Sequence, residues 1–151
     1  MAITTLAEKI TQNGTALTFT GVFITADTDT AASATPIAFA SDVTSTINGK
    51  TYTGLRIRYI GMSSYQQVAT YVPGGCWYIW QQPQVSSDAV PIFGVQHGHC
   101  ATRDFTSDSI NEAYCERSGS LHNINLQYKP SESGATANID YVSIFIEMEL
   151  V

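Results

Sequence analysis

The stretch from Asp140 to Val151 constrains the fold more than any other part of the chain. Val142, Ile144, Ile146, Met148 and Leu150 are uniformly apolar, and the alternate positions Ser143, Glu147 and Glu149 are polar. A period of two places the first set on one face of an extended strand and the second set on the other. Tyr141 and Phe145 fall on the polar side. A strand this long with one dry face needs an antiparallel sheet whose other layer covers it, and it is expected at the centre of that sheet.

Shorter β-type runs fill most of the remaining sequence. Thr15 to Ile24 follows the turn dipeptide Asn13-Gly14, and Asn123 to Tyr128 alternates through Ile124, Leu126 and Tyr128. Two runs between Asp42 and Gly61 flank Asn48-Gly49, a pair that tolerates positive φ and so favours a tight hairpin turn. In the second run Leu55, Ile57 and Tyr59 are expected on one face, with Arg56 and Arg58 on the other. Gln66 to Val72 and Cys76 to Gln81 read as strands around Pro73-Gly74-Gly75. Pro36 to Ala40 is a short strand opened by its proline, and Pro91 demotes Ala89 to Val95 to a sheet edge. Thr25 to Ala34 is small, polar and loop-like.

Helical periodicity is nearly missing. Thr5-Leu6-Ala7-Glu8 and Ser109-Ile110-Asn111-Glu112 have capping-box spacing and predict at most two short helical turns. The fold expected is all-β: a single antiparallel β-sandwich or jelly-roll-like domain over residues 15–151, preceded by an N-terminal arm of residues 1–14.

Composition excludes several function classes. At 151 residues the chain can bury roughly 68–70% of the surface its unfolded form exposes, enough for a core without staples. Charged residues make up only 13% against 44% hydrophobic, and the formal net charge is −6. Seven basic residues do not form the clustered patch that phosphate neutralisation requires, so no nucleic-acid partner is expected. No run approaches the ~18 apolar residues of a spanning helix, so no membrane insertion is expected. Met1 to Lys9 lacks a basic segment followed by an apolar one, which predicts synthesis and folding in a cytoplasm. Cys76, Cys100 and Cys115 are odd in number and lack metal-type spacing, and they read as buried free thiols.

No Gly-rich phosphate loop, nucleophile elbow or catalytic carboxylate pair stands out, and the chain is read as non-enzymatic. Gly75-Cys76-Trp77 shares a Cys-Trp pair with papain-like proteases, but Cys76 opens a strand-like run rather than a helix, whose dipole would lower its pKa. Asp27 and Asp29 form a D-x-D without the glycine and distal glutamate of a calcium loop. Alternation splits Trp77 and Ile79 from Tyr78 and Trp80, so one side of that run is core. The other is an aromatic platform for an interface or for stacking on a sugar ring, as in lectin-like modules.

On a strand, His97 and His99 of His97-Gly98-His99 would face the same way, and three chains around an axis would supply six nitrogens. This resembles the His-x-His iron sites along the axis of trimeric phage tail fibres and spikes, which implies iron or another transition metal at a trimer axis; paired surface or interface histidines are the alternative. An N-terminal arm, Thr/Ala/Ser-rich strands, low charge, acidity and a long closing strand also resemble small bacteriophage virion proteins. That resemblance implies a homo-oligomer, expected as a homotrimer, located in the virion. It would decorate and cement a capsid or form part of a tail or fibre, with other virion proteins as partners. A carbohydrate-binding or receptor-recognition module, with Trp77, Tyr78 and Trp80 contacting a surface glycan, is the competing expectation.

Overall fold

The computed structural model describes residues 3–26, 33–36, 43–67, 75–81, 90–96, 98–105, 114–116, 124–129 and 139–151. These residues form twelve strands and no helix: β1 (Thr4–Asn13), β2 (Ala16–Ala26), β3 (Ser33–Pro36), β4 (Thr46–Ile47), β5 (Lys50–Thr51), β6 (Gly54–Gln67), β7 (Cys76–Gln81), β8 (Val90–Gln96), β9 (Cys100–Asp104), β10 (Tyr114–Glu116), β11 (Asn125–Lys129) and β12 (Ile139–Leu150). All pairings are antiparallel. The fold is an all-β, sandwich-like arrangement of a large and a small sheet.

β12 lies between β2 and β6 in the large sheet, whose order is β1-β2-β12-β6, with β9 and β10 paired in series along the far edge of β6. The small sheet runs β3-β11-β7-β8. The alternation read from the closing segment is realised: Val142, Ile144, Ile146, Met148 and Leu150 are buried. From β2, Leu17, Phe19 and Phe23 join them, and from β6, Leu55, Ile57, Ile60 and Met62. The small sheet answers with Trp77, Ile79, Val95, Leu126 and Tyr128, so one hydrophobic cluster takes residues from both layers. Val151 exchanges two backbone hydrogen bonds with Gly54, at 3.0 and 3.1 Å, which ties down the end of β12.

A polar contact pins the layers together inside this apolar core. The hydroxyl of Tyr128, on β11, donates to the carboxylate of the fully buried Asp140, on β12. The Gly75 N–H donates to the same hydroxyl oxygen at 3.2 Å. Only glycine fits at 75, because a Cβ there would lie 2.2 Å from the Lys129 carbonyl oxygen and 2.7 Å from the Tyr128 ring. Burying a carboxyl group is expensive unless it is hydrogen-bonded, so this contact decides how the two layers register.

Several local expectations are corrected. Thr4–Asn13 is a strand throughout, paired to β2 from Thr4↔Ile24 to Asn13↔Ala16, and not a helical turn at Thr5–Glu8. A single helical turn fixes several dihedrals for one hydrogen bond, whereas the hairpin at Gly14 (φ 60) offers a full ladder to a segment rich in β-branched residues. A bulge at Leu6 interrupts that ladder, and Leu6 is 53% exposed. Thr4 to Lys9 are exposed on both faces, and among the described residues this segment of the N-terminal arm is an edge of the large sheet. Farther along, the Gln12 amide clamps the loop at Thr44, donating to its carbonyl at 2.8 Å and accepting from its N–H at 2.9 Å.

The faces of β6 also differ from the expectation. Leu55 and Ile57 point inward, but the ladder to β12 shifts register between Glu147 and Met148, leaving Arg58 as the extra residue. Beyond it Tyr59 points outward, and Ile60 and Met62 take over the core side. A bulge inverts the phase of everything after it. Asn48 (φ 50) and Gly49 (φ 79) do form the expected turn, joining the two-residue strands β4 and β5. β8 is an edge strand, as Pro91 requires. Ser33 and Ala34, read as loop, are part of β3; β9 and β10 had no counterpart in the sequence pattern. Ser109–Glu112 and residues 37–40 lie outside the described residues.

Tyr128→Phe keeps the packing but removes the donor to buried Asp140. It is expected to cost about 1–3 kcal/mol in a urea titration with an unchanged far-ultraviolet spectrum. Ile146→Ala, which opens a cavity in the same core, is expected to cost about 2–5 kcal/mol.

Candidate functional site

Two outward-facing aromatic surfaces stand out, one on each sheet. On the small sheet, β7 alternates as its sequence demands. Trp77 is fully buried against Tyr128, with ring centroids 4.8 Å apart, so it belongs to the core and not to the surface. Its indole N–H meets no acceptor among the described residues. Tyr78 and Trp80 lie on the outer face, half-buried, in an edge-on contact at 6.4 Å and 68°. The Tyr78 ring covers Gly94 of β8, where a Cβ would come within 2.6 Å of it. The bulge between Ile79 and Trp80 offsets Trp80 onto Pro91. The hydrogen bond shared with the Cys76 thiol, and after it partial burial, push the Tyr78 phenol above the ordinary tyrosine value. Polar Asn125, Gln127 and Lys129 of β11 flank the rings.

The large sheet carries the second surface. Its registers place outward residues in rows that cross the strands. One row is Ile24, Tyr141 and Tyr65; the next is Ala7, Val22, Ser143, Ser63 and Cys100. The third row is Lys9, Thr20, Phe145, Gly61 and Thr102. Tyr65 and Tyr141 stack with centroids 4.6 Å apart and planes 3° from parallel, one strand spacing apart, so the pair forms a single ridge. Tyr65 is 52% exposed. Tyr59 meets Phe145 edge-on at 6.0 Å. Between the second and third rows lie two shallow depressions of about 260 and 310 Å³, both lined by Ser143, the smaller also by Glu8 and Lys9. Lys9 brings a charge into the third row, and nearer the end of the sheet the Arg58 guanidinium pairs with Glu149 across the bulge.

The remaining sequence candidates are scattered. Gly98 has φ 75, and the His99 N–H donates to the Gln96 carbonyl at 3.1 Å, so Gly98-His99 sits in the turn that leads from β8 to β9 and from one sheet to the other. The strand geometry expected for His97-Gly98-His99 is therefore not adopted at 98–99. His99 is exposed, and His97 lies outside the described residues, as do Asp27 and Asp29. Among the described residues no group of three or more His, Cys, Asp or Glu side chains is placed to hold a metal ion. Cys76 and Cys100 are free thiols, but not the buried ones expected: Cys76 is half-buried on the outer face, and Cys100 is exposed beside Ser63. The side chain of Cys115 lies outside the description.

Sequence reasoning missed the large-sheet surface, although part of its signal was visible. Tyr141 and Phe145 interrupt the polar side of β12, where a face meant only for water would carry charge. Comparison with family models and with curated proteins returns no match.

The raised Tyr78 ionisation has a checkable sign. A folded-state value above the unfolded one contributes stability that is present below about pH 10 and is lost as the pH rises through the folded value. The difference in 295 nm absorbance titration between wild type and Tyr78→Phe is expected to show a phenol ionising above the ordinary tyrosine range. Cys76→Ala is expected to bring that step back down.

Proposed function

We propose that this chain is a non-enzymatic structural protein of a bacteriophage particle, one that self-associates and stabilises the virion as a capsid decoration or as part of a tail or fibre. The observation that carries the reading is that the outer face of the large sheet sets aromatic and branched side chains among its polar ones. One face is the core. The other presents Tyr65, Tyr141, Tyr59 and Phe145 with Val22 and Ile24, where a solvated face of an antiparallel sheet is normally polar. Tyr65 is exposed and the others are half-buried, and clustered apolar side chains on an outer face are a feature of association sites. The edge of β1, which pairs only with β2 among the described residues, adds a second, backbone-rich contact surface, since such an edge strand is a template for another chain. The particle and the phage come from the resemblance in composition and strand style. The mechanism is additive burial: each copy that binds only the assembled state raises its stability by mass action.

A second reading, glycan recognition, is favoured by one specific feature, the Tyr78–Trp80 pair on the outer face of the small sheet. The two readings separate in one set of measurements on tag-free protein. Virion association predicts a defined oligomer by native mass spectrometry, with a trimer as the expected unit, and co-sedimentation with particles. Glycan recognition predicts array binding that Trp80→Ala abolishes while the native mass is unchanged. A monomer that neither sediments with particles nor self-associates would sink the structural reading.

A further inference from the structure

We propose that Tyr65 and Tyr141 form an oxidative cross-linking site, at which a one-electron oxidant joins the two rings as dityrosine and so staples β6 to β12. The proposal goes beyond the self-association above and rests on the fold of a single chain.

The geometry of the pair carries it. Tyr65 and Tyr141 lie directly opposite each other in the β6–β12 ladder, and residues so placed keep their Cβ atoms about 4.5–5.5 Å apart. Their rings lie face to face, with centroids 4.6 Å apart and planes 3° from parallel. In a phenoxyl radical the unpaired electron occupies an orbital perpendicular to the ring, with density on the oxygen and on the ortho and para carbons. The para carbon carries Cβ, which leaves the ortho carbons as the sites for a new carbon–carbon bond. That bond grows along the ring normal, which a parallel stack offers and an edge-on contact such as that of Tyr59 with Phe145, at 67°, does not. Holding both rings in contact replaces a chance collision of two radicals with a pre-set encounter.

Access and surroundings agree. Tyr65 is 52% exposed, so an oxidant in solution reaches it, and the stacked contact passes an electron hole on to half-buried Tyr141. On its other side Tyr141 faces Ile24, whose aliphatic side chain such reagents do not oxidise. The other tyrosines with described rings have different neighbours: Tyr59 meets Phe145, Tyr78 meets Trp80, Tyr128 packs on Trp77, and Tyr52 lies under the Lys50 ammonium.

The chemistry balances. Each phenol gives up one electron to the oxidant and its hydroxyl proton to water. The two radicals pair their electrons in a bond between one ortho carbon of each ring. The hydrogen on each of those carbons then moves to the oxygen of its own ring, which restores both aromatic systems and both hydroxyls. The sum is a loss of two electrons and two protons. A photo-oxidised metal complex takes the electrons up as two one-electron equivalents, and a haem peroxidase takes them up by reducing one hydrogen peroxide to two waters. The product closes a loop that contains β7 to β11, and a cross-link of this kind restricts the unfolded state.

The test uses the full chain at dilution, illuminated with ruthenium tris-bipyridyl and persulfate. Its thiols are alkylated first, because a thiol reduces a phenoxyl radical and Cys100 lies in the next row. The expected result is dityrosine emission, an intact mass lower by two hydrogens, and one cross-linked peptide pair containing Tyr65 and Tyr141. The yield is expected to be independent of protein concentration and about ten-fold lower in urea. Tyr65→Phe and Tyr141→Phe are each expected to lose the emission and Tyr52→Phe to keep it, with circular dichroism establishing that all are folded. The cross-linked protein is expected to show a higher urea midpoint than the untreated one. No emission, emission that persists in either folded variant of the pair, peptides that join other tyrosines or two chains, or a yield equal to that of the unfolded chain overturns the site. An unchanged midpoint overturns the staple. Peptide mapping of the wild type decides the matter where a variant fails to fold.

Discussion

The structure depends on one constraint: β12 must satisfy a ladder on each side while keeping every second residue dry. Because β2 and β6 both take their register from it, their inward residues are fixed once those of β12 are. Phe19 lies opposite Ile146, and Ile146 opposite Ile60, so the core is laid down in matched rows. The small sheet closes over these rows with Trp77, Ile79 and Leu126, and the buried Tyr128–Asp140 contact sets where it may sit. A shift of one layer relative to the other would leave the Asp140 carboxyl group without its hydroxyl donor in an apolar interior. Apolar packing supplies most of the driving force, and this polar contact helps select among arrangements that packing alone would tolerate.

The large sheet differs from an ordinary half-solvated one in its outer rows. Its polar content is arranged by position along the strands, with hydroxyls and small side chains in the middle and the Arg58–Glu149 pair near one end. The small sheet has a different balance: two aromatic rings, one of them filling the space over Gly94, set among amide and lysine side chains. The two outer surfaces are therefore chemically unlike. The first is broad and mixes aromatic rings with hydroxyls and a few charges such as Lys9 and Glu147; the second is compact and rimmed by hydrogen-bonding groups.

Much of the architecture was legible in the residues. The period-two run of β12, the Asn48-Gly49 turn, the split of Trp77 from Tyr78 and Trp80, and the edge position forced by Pro91 all follow from local stereochemistry. The misreadings have local causes as well. Thr5 to Glu8 satisfies a helical spacing rule by coincidence, and only the neighbouring β2 edge decides in favour of a strand. The faces of β6 were read correctly up to Ile57 and wrongly at Tyr59, because a bulge at Arg58 leaves no mark in the hydrophobic pattern. β9 has exposed residues on both sides of most of its length, so alternation could not reveal it. The candidate surface on the large sheet was hidden for a related reason: its rows are assembled from β1, β2, β6, β9 and β12, and adjacency across strands is not written in any one of them.

The placement of β12 also governs how the chain can be made. β2 and β6, though neighbours of β12, are separated from it in sequence by everything from β7 to β11, and they do not pair with each other. A nascent chain leaving the ribosome thus carries Phe19, Phe23, Ile57 and Ile60 on two strands that lack their common neighbour. Long-range pairing of this kind is slow, and unpaired apolar strands invite promiscuous contact while they wait. Assembly of the large sheet is in effect a late event, completed when the segment that joins its two halves is released.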